Sequence, residues 1–196
     1  MISSILLAGG LSTRMGSPKA LSDWHGEPLI CYQVRQLKEA GVDEVVVVLG
    51  HRADEIQRQM RRLPCRVMFN ARYQMGRAGS LRIGAKAVNR DAEAIVILSV
   101  DQPRPASLIR ELLANHAVGG PITRPEYDGR HGHPVIVPGT LREELMQAED
   151  DDEGLRGVLD AHRADIVNVP CGAACLVDVN TPADLEAALR EIPVEA

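Results

Sequence analysis

Four near-continuous apolar runs, separated by segments of helical period, constrain this chain more than any other feature. They are SSILLA (Ser3–Ala8), EVVVVL (Glu44–Leu49), RVMF (Arg66–Phe69) and AIVILSV (Ala94–Val100). A strand with one wet face alternates apolar and polar residues. An unbroken run suits a strand covered on both faces, as in a parallel sheet between two helical layers. PLICYQVRQLKEAG (Pro28–Gly41) spaces its apolar residues helically, opening on proline and closing on glycine. DEIQRQMRRL (Asp54–Leu63) and GSLRIGAKAVNR (Gly79–Arg90) fill the next two gaps. Strands alternating with helices predict a three-layer α/β fold with right-handed crossovers and a mostly parallel central sheet.

The rhythm changes after Asp101. SLIRELLANHA (Ser107–Ala117) is still helical, followed by PITRPEYDGRHGHPVIVPG (Pro121–Gly139) and a short LREELMQ helix. IVNV (Ile166–Val169) and CLVDVN (Cys175–Asn180) read as strands. TPADLEAALREI reads as a last helix, with Thr181 as N-cap and Pro182 in its first turn. The stretch from Gly120 to Asn180 therefore predicts a smaller antiparallel portion covering the second half of a cleft. At 196 residues the chain suits one domain with a sizeable core, divided into functional halves at 1–103 and 104–196.

A formal charge of -5 argues against a general nucleic-acid binder, whose footprint is usually basic. No apolar run approaches the roughly 20 residues that cross a bilayer. The start, MISSILLAGG, has no positive n-region, so the expectation is a cytoplasmic protein with no membrane partner. Cys31, Cys65, Cys171 and Cys175 are too sparse and irregular for a disulfide framework, and read as small buried residues rather than metal ligands.

The chemistry begins in LLAGGLSTRMGSPKAL (Leu6–Leu21), straight after the first apolar run. Gly9 and Gly10 let another molecule approach the main chain closely. Arg14 and Lys19 add two positive charges. Such a loop suits a polyanion, and a nucleoside triphosphate is the commonest small one. The Walker A spacing is absent, and the G-x-G-x-x-G fingerprint fails because Gly9 and Gly10 are adjacent. In open α/β sheets ligands sit beyond the carboxyl ends of strands, where both this loop and Asp101 of SVDQP belong. Magnesium takes one or two carboxylates plus phosphate oxygens. Asp101 suits that role, or a plain turn before Pro103. Asp178 of VDVNTP supplies a second carboxylate, or simply starts a helix.

At this point the residues resemble a family. LLAGGLSTRMGSPKAL is similar to the signature L-A-x-G-x-S-x-R-M-G-x-x-K of the MobA-like nucleotidyltransferases. NARYQMGRAGSLRIG (Asn70–Gly84), DQP (Asp101–Pro103), YDGRHGHPVIV (Tyr127–Val137), DDEGLR (Asp151–Arg156) and DVNTPADL (Asp178–Leu185) resemble one branch, the molybdenum cofactor cytidylyltransferases. The resemblance implies a single GT-A-like, Rossmann-like domain that joins a nucleoside monophosphate to an acceptor phosphate. It implies that Leu7, Ala8, Gly9 and Gly10 edge the nucleotide and that Arg14 and Lys19 hold the triphosphate. By the same resemblance Ser80 reaches the base, and Asp101 and Asp178 hold Mg2+. Arg14, Lys19 and Asp101 then form the catalytic set, while Arg130, Gly132, His133 and Arg156 face the acceptor.

Two departures bear on the base. The cytidylyl branch reads L-A-A-G where this chain has LAGG, as the guanylyl branch does, and Asn180 replaces the second Asp of D-I-D-T-P. GEPLI, DQP and GHPV agree with the cytidylyl branch. The implied reaction is transfer of CMP from CTP to the terminal phosphate of molybdenum-bearing molybdopterin, with pyrophosphate released and a molybdoenzyme as a possible recipient of the product. The alternatives are GTP on the same acceptor, another small phosphate as acceptor, or a non-catalytic molybdopterin carrier. His133 suits an acceptor contact or a turn before Pro134. Asn70 and Tyr73 suit substrate contact or a backbone tie at a strand end, His131 an exposed position, and Trp24 a cap on the core.

Overall fold

Three of the four apolar runs become the centre of one sheet, whereas RVMF forms its edge strand, with Arg66 and Phe69 exposed instead of covered on both faces. In the computed structural model, which describes residues 1–11, 15–117, 120–149 and 154–193, β1 (Ile2–Ala8) lies between β4 (Glu44–Leu49) and β6 (Ala94–Ser99). A two-stranded ribbon, β2 (Asp23–Trp24) and β3 (Glu27–Pro28), precedes α1 (Leu29–Glu39). Then follow α2 (Ala53–Gln59), β5 (Arg66–Phe69), α3 (Ala78–Ala87) and, after β6, α4 (Ala106–Asn115). The second half adds β7 (Ile122–Tyr127), β8 (Arg130–His131), β9 (Val135–Pro138), α5 (Arg142–Leu145) and α6 (Leu155–Ala161). It closes with β10 (Ile166–Pro170) and α7 (Pro182–Glu191).

The strand order is β10-β7-β9-β6-β1-β4-β5, with β8 paired to β7. β5, β4, β1 and β6 are mutually parallel, β9 is antiparallel to both β6 and β7, and β10 is parallel to β7. The expected mostly parallel sheet with a smaller antiparallel portion is present. Its apolar strands divide their side chains between two cores. Val45, Val47 and Leu49 of β4 pack with α1 and α4 on one face, while Val46 and Val48 pack with α3, α5 and α6 on the other. Strict alternation with both faces covered is why EVVVVL carries no polar position after Glu44.

Three boundaries differ from expectation. Helix α2 ends at Gln59 instead of continuing to Leu63, because Met60 and Leu63 turn back onto i-3 carbonyls. Pro28 is the N-cap of α1, paired in the β2–β3 ribbon, and Gly41 ends the helix in the left-handed region at φ 97°. Most consequential, Cys175–Asn180 is not a strand. Ala173–Leu176 forms a 3-10 turn, and the carbonyls a neighbouring strand would have bonded are taken elsewhere. Asp178 therefore follows a turn and an extended segment.

Thr181 caps α7 as its sequence predicts. Its side chain accepts from Asp184 N at 3.2 Å while the Asp184 carboxylate accepts from Thr181 N at 2.8 Å, a reciprocal capping box. Trp24 is fully buried in the core beside the first loop. Cys31 and Cys175 are buried and Cys65 and Cys171 half-buried, all four as free thiols. No helix among the described residues is long and apolar enough to cross a membrane.

Candidate active site

The carboxyl ends of β1 and β6 open into a cleft of about 340 Å³. Leu7, Ala8, Gly9, Gly10 and Lys19 line it from the first loop, Ser99, Val100 and Asp101 from the end of β6, and Ser80 from α3. This is the crevice where strand order reverses around β1, the usual ligand position in an open α/β sheet. Arg14 lies outside the described residues, as do the three acidic residues that open the DDEGLR motif.

The glycine-bearing wall is held by close main-chain contact. The His51 N–H points at Gly9 O at 3.4 Å, and a Cβ on Gly50 would lie 2.7 Å from the same oxygen and 2.5 Å from Tyr73 Cβ. No side chain fits at Gly50, so the first loop and the Tyr73 loop meet directly. A Cβ on Gly9 would stand 3.1 Å from Ser80 Oγ. The Gly9 departure from the cytidylyl pattern thus falls beside the residue expected at the base.

Asn70 explains the orientation of Ser80. Its Nδ2 donates to Ser80 Oγ at 2.9 Å, and its Oδ1 accepts from Arg72 N at 2.9 Å. With its oxygen already accepting, the Ser80 hydroxyl can direct its proton into the cleft. Asn70 is therefore both a backbone tie and a support for the site, and Tyr73 lines the same cleft.

At the opposite end, Lys19 Nζ donates to Asp101 Oδ2 at 3.0 Å and to Asn180 Oδ1 at 2.8 Å. The first loop, the end of β6 and the start of α7 meet at this one ammonium. An ammonium between two oxygen donors marks a place suited to a cation. The donors fit a hard divalent ion, which needs few carboxylates when phosphate supplies the other oxygens. Among the described residues no group of three or more His, Cys, Asp or Glu side chains forms a self-sufficient metal cage. Asn180, noted in the sequence only as a departure, lines this cleft, whereas Asp178 does not.

Asp178 lines a second cavity of about 370 Å³, with Tyr127, Arg130, Val177 and Asp184 among its walls. Burial raises its carboxyl above the ordinary range. Arg104 opposes that and Asp101 adds to it. The segments that wall the two cavities are tied together where Val179 N donates to Asp101 O at 2.7 Å. Of the residues expected at the acceptor, Arg130 lines the second cavity. Gly132 is wedged against Cys175, whose carbonyl oxygen would lie 2.1 Å from any Cβ there. His133 lines neither cavity and packs behind Asp101, where Gln102 Nε2 lies 2.9 Å from its Nδ1. Burial first, then Arg104, pulls its imidazole down to about 4, so the ring is neutral at physiological pH. Arg156 stands on α6, 3.8 Å from Asp160, and lines neither cavity. His131 is exposed and faces Glu126 at 3.2 Å.

Two residues escaped the sequence reading. Arg77, just before α3, lines the first cleft, and its signal was the GRAGSL run itself. Arg104 is fully buried behind Asp101, and nothing in its sequence position distinguishes it from a surface arginine.

Residues 4–166 match the MobA-like NTP transferase domain. The chain is 29% identical to nicotine blue oxidoreductase of Paenarthrobacter nicotinovorans over 79% of each chain. It is 31% identical to the bifunctional protein GlmU of an Anaeromyxobacter species over 89% of this chain, but spans only 36% of that longer protein. A nucleotidyl transferase structure from Methanothermobacter superposes with a TM-score of 0.82 at 25% identity, covering 98% of this chain and 99% of the other. A glycine-walled cleft, Lys19 and Asp101 at its end, and a family match that spans both place the chain in the MobA-like NTP transferase domain family, as a nucleotidyltransferase.

Proposed function

We propose that the protein transfers CMP from CTP to the terminal phosphate of molybdenum-bearing molybdopterin, releasing pyrophosphate. The observation that carries the reading is the Lys19–Asp101–Asn180 cluster at one end of a cleft whose other end presents Ser80 and the Gly9 backbone. A nucleotide laid along the cleft has its base at Ser80 and its phosphates at the ammonium. An oxygen of the acceptor phosphate attacks the α-phosphorus, and the bond from that phosphorus to the bridging oxygen of pyrophosphate breaks. The attacking oxygen is already ionised, so no general base is needed. Catalysis then rests on in-line positioning and charge neutralisation.

Asp101, with Asp178 or Asn180, would hold Mg2+, whose chemistry there is to neutralise phosphate charge. Arg14 and Lys19 take the remaining charge. The second cavity, whose wall is tied to the first by the Val179–Asp101 hydrogen bond, suits the acceptor: Arg130 offers a cation and Tyr127 an exposed ring. In this reading His133, bonded to Gln102 beside Asp101, is the side chain nearest the shared edge that could meet the acceptor phosphate. CTP is favoured over GTP by the GEPLI, DQP and GHPV segments, while Gly9 leaves more room at the base than an alanine would.

Thermal protection tests the nucleotide half. With Mg2+ present, CTP should raise the melting temperature more than GTP or ATP at equal concentration. A larger rise with GTP moves the chain to the guanylyl branch, and none with any triphosphate removes the reading. A second reading has one observation behind it, the relative named as an oxidoreductase over 79% of its length. Electron transfer in this cleft would consume no triphosphate and release no pyrophosphate. A carrier would bind molybdopterin with the same result.

A further inference from the structure

Arg104 is completely buried, yet it is not a partner in a close ion pair; Asp178 Oδ1 is 3.9 Å from its Nη2. Its donors go to backbone carbonyls instead. Nε donates to His133 O at 2.7 Å, Nη1 to Pro103 O at 2.7 Å and Val177 O at 2.6 Å, and Nη2 to Cys175 O at 2.8 Å. A guanidinium has five N–H donors in a fixed plane, and four of them are spent on three separate chain segments. Those segments are the loop after β6, the GHP turn and the irregular run from Cys175 to Asp178. Burying a charge is costly unless it is well bonded, so such an arrangement has one favoured geometry.

The segments it joins are the ones that tie the walls of the two cavities together. Asp101 lies three residues before Arg104, His133 on the GHP turn and Asp178 on the irregular run. Further bonds lie along the same seam: Gln102 to His133, His133 N to Cys175 O at 3.1 Å, and Val179 N to Asp101 O. Gln33 supports the loop from beneath, its Nε2 donating to Gln102 O at 2.7 Å. Of the residues that line the first cleft, only Val100, Asp101 and Asn180 adjoin these segments; its other walls come from the loop after β1, from the Tyr73–Arg77 stretch and from α2 and α3.

We propose that Arg104 is a positioning residue that fixes the GHP turn and the Cys175–Asp178 segment to the Asp101 loop, shaping the acceptor side and leaving triphosphate binding independent of it. This rests on the proposed division of the site between nucleotide and acceptor. A lysine cannot replace it, because one ammonium with three donors cannot reach the same four carbonyls.

The test uses full-length Arg104→Lys, Arg104→Met and Arg104→Ala proteins, each checked for folding by its melting transition. Mg–CTP should bind the folded variants within about twofold of wild type. The KM for molybdopterin should rise about tenfold or more. Millimolar guanidinium, and not methylammonium, should restore part of the turnover lost by Arg104→Ala. In the NMR titration of the Arg104→Met protein, the His133 imidazole should protonate at a higher pH than the wild type's value of about 4, because a neighbouring positive charge is gone. An unchanged molybdopterin KM in Arg104→Lys, or equal losses toward both substrates, overturns the proposal. So does an unmoved His133 titration in a folded Arg104→Met. A wild type inactive with molybdopterin would fault the acceptor assignment; CTP binding and the His133 titration still decide the role of Arg104.

Discussion

The two cavities are built by different means. The first is floored by the ends of β1 and β6 and flanked by the start of α3, and the loops that follow β1, β5 and β6 make up its walls, with glycines that bring backbone to the surface. The second sets β7, β8 and one face of α7 against the irregular Ala173–Asp178 run, whose carbonyls are held by the Arg104 side chain. A cleft floored by strand ends inherits the geometry of that floor from the sheet. A wall held by one buried guanidinium depends on that residue, so the proposed acceptor side is where single substitutions away from the substrate should do selective damage.

Removing the carboxylate at the shared edge should have the largest effect. Asp101→Ala should lower turnover by on the order of a thousandfold with a near-normal melting temperature, because a rim carboxylate contributes to charge and little to the core. Pyrophosphate release and a thermal melt on the same preparation check this. Lys19→Ala should come next, losing about 3 kcal/mol of transition-state stabilisation, roughly a hundredfold in kcat/KM. Lys19→Arg should recover only part of it, since a planar fork places charge differently from a compact ammonium. Wild-type kcat/KM in Lys19→Ala would make the first loop a structural feature and dissolve the contrast.

His133 probes the other region. His133→Gln should raise the KM for molybdopterin several-fold and leave that for the triphosphate unchanged; equal effects on both would move the residue into the shared centre. The same residue leaves a mark on stability. Its folded-state pKa of about 4 lies below the ordinary 6.5, so the unfolded chain binds the proton more readily. The stability linked to this ring is full above about pH 6.5 and is lost as pH falls toward 4. Melting curves across that range should show a shallower decline in His133→Gln than in wild type.

The smallest effect concerns the base. Gly9→Ala places a methyl 3.1 Å from Ser80 Oγ, tight enough that the serine must shift slightly. It should cost about 1 kcal/mol in triphosphate binding, and more for GTP than for CTP. The ratio of kcat/KM for the two triphosphates should rise several-fold. An unchanged ratio would separate Gly9 from base selection.

The contrast also explains what could be read from the sequence. EVVVVL and AIVILSV announce a doubly covered sheet because burial on both faces leaves a local, periodic trace. Lys19 and Asp101 could be assigned to one rim because each follows an apolar run closely. CLVDVN misled for the opposite reason. Its pattern suits a strand, but Arg104, more than seventy residues away, takes the carbonyls of Cys175 and Val177. No window around either segment contains that information. Asn180 was visible only as a missing aspartate, and its place beside Lys19 depends on how the α7 capping box turns the chain.

The central claim is that one cleft binds a triphosphate and a metal while its neighbour delivers an acceptor phosphate. The direct measurement is the initial rate of pyrophosphate release from CTP with Mg2+ and molybdenum-bearing molybdopterin, repeated with each component omitted in turn and with folded Asp101→Ala. Release is expected only when all three are present, with CMP joined to the acceptor, and is expected to be lost in the variant. Release that ignores the acceptor, or that survives in Asp101→Ala, would contradict it.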